Sequence, residues 1–296
     1  MHLLDPEGML VRRRKRLRRR HYYNKRPNYM WHIDGYEKLK PYGVCISGCI
    51  DGFSHKILWL RAAYSNNNPR IICSDFLDTV TNIKGYPQSI RTDMGTENGL
   101  VKHVQEYFHE AMHNVQNGNV LPPFLYGTSQ ANQRIEAWWG LLRRQHSQYW
   151  MNCFEHLKDD GMFNGTLIDK SLLQYCFMDL IQVELNEFAQ EWNNHVIRKT
   201  RNSISPSGRP DMMYDFPALY GGTNFLNPVE ENYIENCANL CEVVNRSCRD
   251  ETVFELCDVI SREKNLGASD STYLAINKYC ELRTEIIKML EELHLH

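Results

Sequence analysis

The stretch that decides the fold is MWHIDGYEKLKPYGVCISGCIDGFSHKILWL, residues 30–60. Three runs in it are rich in β-branched and aromatic residues: Met30 to Ile33, Val44 to Ile50 and Ile57 to Leu60. Asp51-Gly52-Phe53-Ser54, between the second and third runs, is typical of a hairpin turn, and a longer connection containing Pro41 precedes the second. The stretch therefore predicts three consecutive antiparallel strands.

Helix and strand patterns alternate in the sequence that follows. Apolar residues recur at helical spacing from Ile71 to Val80, and Gly85-Tyr86-Pro87 ends that helix before a fourth strand-like run, Ser89 to Thr92. The next segments are a helical pattern from about Leu100 to His113, a loop rich in Asn, Gly and Pro from Asn114 to Ser129, and a long helix from Gln130 to Trp150. A helix that leads into a new strand after three meandering strands indicates an α/β sheet.

The long helix is predicted to be amphipathic. Its apolar face comprises Ile135, Trp138, Leu142 and Tyr149, and its polar face comprises Glu136, Gly140 and Arg143. For Trp138 and Trp139 the pattern favours core packing, and stacking on unpaired bases is the alternative. Because Glu136 lies on the polar face, it points away from the apolar face of its own helix.

Three carboxylates stand where this layout can bring them together. Asp34 ends the first strand, Asp93 ends the fourth, and Glu136 lies on the long helix. If the first and fourth strands are neighbours, the two aspartates stand side by side at one edge of the sheet. The helix can then present Glu136 beside them.

Carboxylates on separate rigid elements suit hard divalent cations, which prefer oxygen ligands. Two such ions about 3.5–4 Å apart can activate an attacking oxygen and stabilise a leaving oxygen during in-line displacement at phosphorus. The carboxylates also repel one another, so the cluster is expected to be electrostatically strained without metal or protons. The pattern therefore predicts a metal-dependent site for phosphoryl transfer.

Two other acidic residues have competing explanations. The hairpin turn accounts for Asp51. Glu97 lies close to Asp93 and is an alternative third ligand, although its place before a helical run also suits a charge at that helix's N-terminus. Taken singly, an Asp after a strand is more often a turn or cap residue, so the prediction depends on the set.

Charge is distributed unevenly along the chain. The net charge is −2, but residues 1–26 carry +8 and the remainder carries −10. The basic run comprises Arg12, Arg13, Arg14, Lys15, Arg16, Arg18, Arg19 and Arg20. Such an arm neutralises phosphates, recruits nuclear import receptors, or is only a solvated tail. We expect it to contact nucleic acid and to direct the protein to the nucleus, and we count Gln133, Arg143 and Arg144, near Glu136, as further phosphate-binding candidates.

Composition argues against membrane and secreted classes. No apolar run reaches the roughly 18 residues that a membrane span needs, and no secretory signal follows the start. The ten cysteines are therefore expected to be reduced and mostly buried. Zinc binding by Cys237, Cys241, Cys248 and Cys257 is disfavoured, because they include no CxxC pair.

The last third of the chain looks helical and acidic. Residues 170–197 predict a helix, and from Asp211 onward sixteen Asp or Glu stand against seven Lys or Arg. Such a charge balance is poor for a direct DNA clamp. We expect a partner-binding or self-associating helical extension.

Four motifs, taken in this order, resemble the integrase core of retroviruses, retrotransposons and related animal DNA transposons. They are Trp31-His32-Ile33-Asp34-Gly35, Ile50-Asp51-Gly52-Phe53-Ser54-His55, Arg91-Thr92-Asp93-Met94-Gly95-Thr96-Glu97-Asn98 and Asn132-Gln133-Arg134-Ile135-Glu136-Ala137-Trp138-Trp139. The resemblance covers about residues 28–200 and is closest to animal integrase-core-domain proteins derived from mobile elements.

This resemblance implies an α/β, ribonuclease-H-like fold, with a mixed five-stranded sheet flanked by helices and, here, a helical C-terminal extension. It implies a DDE triad of Asp34, Asp93 and Glu136 that holds two Mg²⁺ or Mn²⁺ ions, cleaves DNA ends and directs the resulting 3′-hydroxyl onto target DNA. The expected partners are DNA and, in the active state, further copies of the chain. The expected organisation is a basic arm (1–27), an integrase catalytic core (28–200) and an acidic helical region (201–296).

The spacing departs from the retroviral pattern. The 42 residues between Asp93 and Glu136 exceed the retroviral spacing, and we place the excess in the loop from Asn114 to Ser129. Two alternatives to an integrase or transposase remain. One is a domesticated, catalytically silent nucleic-acid-binding protein that retains the fold. The other is a ribonuclease-H-type nuclease, for which a fourth acidic ligand is expected and none is identifiable.

Overall fold

The computed structural model describes residues 24–112, 121–127, 132–199, 206–241 and 245–294. Its strands are β1 (Trp31–Tyr36), β2 (Cys45–Asp51), β3 (Ile57–Ala63), β4 (Gly85–Tyr86), β5 (Ile90–Thr92), β6 (Phe124–Tyr126) and β7 (Asn227–Pro228). Its α-helices are α1 (Pro69–Ile83), α2 (Gly99–Met112), α3 (Gln133–Leu142), α4 (Gln148–Asp159), α5 (Leu167–Asn194), α6 (Pro210–Asp215), α7 (Glu231–Ala238), α8 (Glu251–Glu263) and α9 (Thr272–His294).

The main sheet is mixed and has five strands in the order β3-β2-β1-β5-β6. Strands β1, β2 and β3 pair antiparallel, whereas β5 runs parallel to β1 and β6 runs parallel to β5. The expected adjacency of the first and fourth predicted strands is confirmed, because Trp31 pairs with Ile90 and His32 with Arg91. The mixed five-stranded sheet flanked by helices is the predicted fold class.

The fifth strand lies inside the predicted loop. Phe124–Tyr126 form β6 at the edge of the sheet, so the loop assignment from Asn114 to Ser129 is wrong for these residues. Three residues are too few to show strand periodicity, and the preceding Pro122-Pro123 is a loop signal in its own right. Residues 114–120 and 128–129 of that predicted loop lie outside the described residues.

Helices cover both faces of the sheet. Successive side chains of a strand point to opposite faces, so Trp31 and Ile33 pack in the core formed with α1 and α2. His32 and Asp34 face the layer that contains α3. A second core lies between this face and α3, α4 and α5.

The long helix is continuous from Gln133 to Asp159 but contains a π-helical segment at Arg143–Ser147. Ile135, Trp138 and Leu142 are buried as predicted. Tyr149, however, is 55% exposed, and Trp150 is fully buried in its place. A π-helix bonds i to i+5 and turns less per residue than an α-helix, so the segment moves the buried face one position along the chain.

The C-terminal helices α8 and α9 pack on α5. Buried side chains of α8 and α9, among them Ile260, Tyr279 and Leu282, join the core that contains α5. Ion pairs join Arg283 to Asp169 and Arg246 to Asp75. These buried apolar residues are therefore occupied within the chain, whereas Tyr273, Leu274 and Leu293 of α9 stay exposed.

One pair of cysteines departs from the expected reduced state. Cys73 on α1 and Cys241 beyond α7 are joined in a disulfide, with Cα atoms 5.6 Å apart. That separation lies within the range a disulfide spans. Eight further cysteines are free, and six of them are buried. In the described part of the chain, no helix is long and apolar enough to cross a membrane.

Candidate active site

The two aspartates lie level with each other on neighbouring parallel strands. Asp93 directly follows the last residue of β5, as predicted, whereas Asp34 lies two residues before the end of β1. The register pairs His32 with Arg91, and continuing it by two residues, beyond the end of β5, leads to Asp34 and Asp93. The strand order thus places both carboxylates at one region of the sheet.

Glu136 comes from the layer above this face. It lies in the first turn of α3 with an exposed side chain, and its backbone N–H donates to the carbonyl of Asn132 at 3.3 Å. Burial raises the pKa of Glu136, and the charge of Asp93 raises it further. The third carboxylate is therefore within electrostatic range of the second.

Asp34 is the most perturbed of the three carboxylates. Burial raises its pKa to about 7, and the charges of Glu136 and Asp93 add to the effect, against a hydrogen bond from Trp139. Asp34 thus resists ionisation unless positive charge is near. The carboxylate of Glu97 instead accepts a hydrogen bond from Asn98 at 3.1 Å.

Asp34, Asp93 and Glu136 offer the oxygen ligands that a hard cation prefers, but they do not surround one point. Within the described ranges, no three His, Cys, Asp or Glu side chains converge tightly enough to hold an ion. The donors of Asp34, Asp93 and Glu136 are all oxygens, and the raised pKa of Asp34 reflects burial and repulsion that a cation offsets. The donor chemistry of the three carboxylates therefore suits a hard divalent cation, but their described positions do not form a metal site.

Trp139 contacts Asp34 directly. Its indole Nε1 donates to Asp34 Oδ2 at 2.8 Å, and its ring lies 5.4 Å from the ring of Tyr36. Trp138 and Trp139 are both buried, so the expected packing is confirmed. The hydrogen bond was not predicted, although the position of Trp139, three residues after Glu136, puts both on neighbouring faces of α3.

Asn132 fastens the start of α3 to β1. Its buried side chain donates from Nδ2 to the carbonyl of Ile33 at 2.9 Å, and its Oδ1 lies 2.6 Å from Nδ1 of His32. Burial lowers the pKa of His32 to about 3, and the charges of Arg91 and Arg134 lower it further against the Asn132 bond. His32 is therefore neutral at physiological pH. Sequence reasoning missed this pair, because neither residue belongs to a recognised ligand set.

The candidate phosphate-binding residues differ in what the structure describes. Arg143 and Arg144 lie in the π-helical segment with exposed side chains, and Arg143 Nε donates to Gln148 Oε1 at 3.4 Å. Gln133 is the first residue of α3, but its side chain is not described. The basic residues from Arg12 to Arg20 lie outside the described residues.

Asp51 has the structural role that the hairpin pattern predicts. Its fully buried carboxylate accepts bonds from the backbone N–H groups of Asn28, Phe53 and Ser54 and from the hydroxyl of Ser54. With these bonds Asp51 holds the β2–β3 turn and the chain before β1.

Comparison with known proteins bears on the family. The chain is similar to a solved structure of the HTLV-2 integrase catalytic core domain in complex with magnesium, in a trimeric form, with 16% identity and a TM-score of 0.37. That similarity covers 65% of this chain and 99% of the viral one. Comparison with curated protein sequences found no match. The model of the integrase core domain family matches residues 21–208, so the chain belongs to that family.

Proposed function

We propose that this protein is a DNA-processing polynucleotidyl transferase, which cleaves DNA ends and joins the resulting 3′-hydroxyl to target DNA. The observation that carries the proposal is the raised pKa of Asp34, which lies on β1 and is affected by burial and by the charges of Glu136 on α3 and of Asp93 just after β5. Burial and the charge of Asp93 likewise raise the pKa of Glu136. Perturbed carboxylates from separate rigid elements are typical of functional sites. Membership of the integrase core domain family supports this assignment.

In this proposal the triad holds two Mg²⁺ or Mn²⁺ ions. Ions held there would supply the activation of an attacking oxygen and the stabilisation of the leaving oxygen in an in-line displacement at phosphorus. Asp34 supplies an oxygen ligand from β1, and Asp93 supplies one from the position just after the paired strand β5. Glu136 supplies the third ligand from a helix that Asn132 fastens to β1.

Positively charged side chains position the DNA. Arg143 and Arg144 lie on the same continuous helix as Glu136 and are exposed to solvent. Arginine binds phosphate in a fixed, often bidentate geometry. We assign these two residues, Gln133 and the basic arm to phosphate contacts, so DNA binding is expected to weaken steeply as salt rises.

Two further parts of the proposal follow from the reaction. Joining two DNA ends in one event requires them to be handled together, so the active form is a homo-oligomer. Access to chromosomal DNA requires a nuclear location, and the basic run at residues 12–20 is the proposed import signal.

Strand transfer by the purified full-length chain tests the proposal. Short DNA duplexes, including any terminal inverted repeats that flank the gene, are incubated with Mn²⁺ and the products are sized. Asp34→Asn and Glu136→Gln are expected to retain less than about 1% of joining, because losing a ligand costs more than the roughly 100-fold of losing an outer partner. Glu97→Gln is the matched control and is expected to stay within about threefold of wild type.

The outcomes separate the three candidate functions. Joining that needs the metal and disappears in the Asp34 and Glu136 variants supports the transferase. Tight, salt-sensitive DNA binding without joining on any substrate contradicts it and favours the silent binding protein. Cleavage confined to RNA–DNA hybrids favours a ribonuclease-H-type nuclease. Loss of joining in Glu97→Gln but not in Glu136→Gln would reassign the third ligand.

A further inference from the structure

A glycine on β2 makes room for a side chain of the catalytic helix. Gly48 lies inside the buried strand β2 and pairs with Asp34 of β1. A Cβ at this position would lie 2.6 Å from Cη2 of Trp139, closer than real Cβ atoms approach. Glycine inside a strand weakens it and marks the close approach of another group. The strand therefore lacks a side chain where the indole ring passes.

The ring of Trp139 is held by its neighbours. Only 6% of the residue is exposed, and its ring lies 5.4 Å from that of Tyr36 and 5.5 Å from that of Trp138. Rotation of the indole would lose this packing, so its N–H has a fixed direction. The indole N–H donates to Oδ2 of Asp34, and the distance from Nε1 to this oxygen is 2.8 Å.

We propose that Trp139 is a positioning residue that sets the rotamer of Asp34 for metal binding. This inference rests on the proposed function, because it assigns Asp34 to the metal site. An indole N–H can only donate, so it engages one carboxylate oxygen and does not compete for the ion. A ligand ordered in advance loses less entropy when the ion binds. Outer-shell hydrogen bonds of this kind affect metal affinity by about 10–100-fold.

The neighbouring tryptophan supplies a matched control. Trp138 is 3% exposed and packs against Phe188 and Trp192 as well as Trp139. Its indole nitrogen has no hydrogen-bond partner among the described residues. Trp138→Phe therefore removes similar ring volume from the same helix without removing a bond to a carboxylate.

Metal titration of the full-length chain tests the inference. The midpoints of Mn²⁺ and Mg²⁺ binding are measured by calorimetry and by the metal-induced rise in Tm. Trp139→Phe is expected to weaken binding about 10–100-fold, and Trp138→Phe by less than about threefold. Gly48→Ala is a second variant that keeps the indole N–H but displaces the ring, and it is also expected to weaken binding. Circular dichroism checks that each variant is folded.

Several results overturn the inference. The inference is overturned if folded Trp139→Phe and Gly48→Ala bind metal as strongly as the wild type. It is also overturned if Trp138→Phe weakens metal binding as much as Trp139→Phe does. Wild-type protein that binds Mn²⁺ but joins no DNA contradicts the proposed function, while the Trp139 inference is still decided by the titration. Wild-type protein that binds no divalent ion overturns both.

Discussion

Asp34 carries its carboxylate in a half-buried position beside two other acidic groups, so we expect it to destabilise the metal-free protein at neutral pH. Burial raises its pKa to about 7 in the folded state, from an ordinary aspartate pKa of 3.8. The folded state then binds the proton more tightly than the unfolded state. The associated stability is fully present below about pH 4 and is lost as pH rises through about 7.

Asp34→Asn is therefore expected to stabilise the metal-free chain, because the neutral amide removes the buried charge while its oxygen can still accept the Trp139 bond. The gain is expected to be on the order of 2–4 kcal/mol at pH 8 and to vanish near pH 4. Urea unfolding at pH 4, 6 and 8 measures it. Millimolar Mg²⁺ should stabilise only the wild type. The prediction is contradicted if the gain in stability of Asp34→Asn over wild type is no larger at pH 8 than at pH 4.

The π-helical segment decides which aromatic residue of the long helix is buried, so its effect on stability is testable. Trp150 is fully buried, and its Nε1 donates to Glu184 at 2.8 Å, whereas Tyr149 is 55% exposed. Trp150→Ala is expected to cost about 3–5 kcal/mol, because it leaves a cavity in the core. Tyr149→Ala is expected to cost less than about 1 kcal/mol. Denaturant melts compare the two variants. A larger loss of stability for Tyr149→Ala would contradict the π-helical segment and favour a regular α-helix.

The elements were predictable from sequence where their pattern was long and regular. The hairpin at Asp51 and the adjacency of the strands that carry Asp34 and Asp93 follow from turn chemistry and connection rules. β6 was missed because three residues show no periodicity. The burial of Trp150 in place of Tyr149 was not predicted, because the 3.6-residue period assumes a regular α-helix.

The hydrogen bonds around the site were less predictable than its carboxylates. The Trp139–Asp34 bond depends on the absence of a side chain at Gly48. Gly48 lies on β2, which pairs with β1, and not on the helix that carries Trp139. Such a contact joins three elements that are far apart in sequence. Local periodicity can show that Trp139 is buried, but it cannot give the direction of its N–H.

At the scale of the whole molecule, the acidic C-terminal region is packed against α5 and α1, two helices that flank the sheet. Ile260, Tyr279 and Leu282 are buried against α5, so self-association through these apolar stripes would compete with packing inside the chain. We therefore propose that a homo-oligomer uses other surfaces. Polar contacts complete the attachment, since Arg246 reaches the buried Asp75 and also donates to Ser74.

The Arg246–Asp75 pair gives this attachment a measurable strength. Asp75 is almost fully buried, and burial raises its pKa while the charge of Arg246 opposes that rise. Arg246→Met leaves the carboxylate buried without its cation and is expected to cost about 3–5 kcal/mol at pH 8. The loss should shrink toward pH 5, because a folded-state pKa above the unfolded one favours the folded protein as pH falls. Denaturant melts of full-length protein at both pH values measure the effect.

Two further variants show whether the loss comes from the unpaired charge. Adding Asp75→Asn to Arg246→Met is expected to recover most of the stability, because the neutral amide needs no cation. Lys158→Met breaks the exposed pair with Glu155 and is expected to leave the stability nearly unchanged, since water screens both charges. If Arg246→Met costs no more than Lys158→Met, or if its cost does not change with pH, then this ion pair does not anchor the C-terminal region to α1.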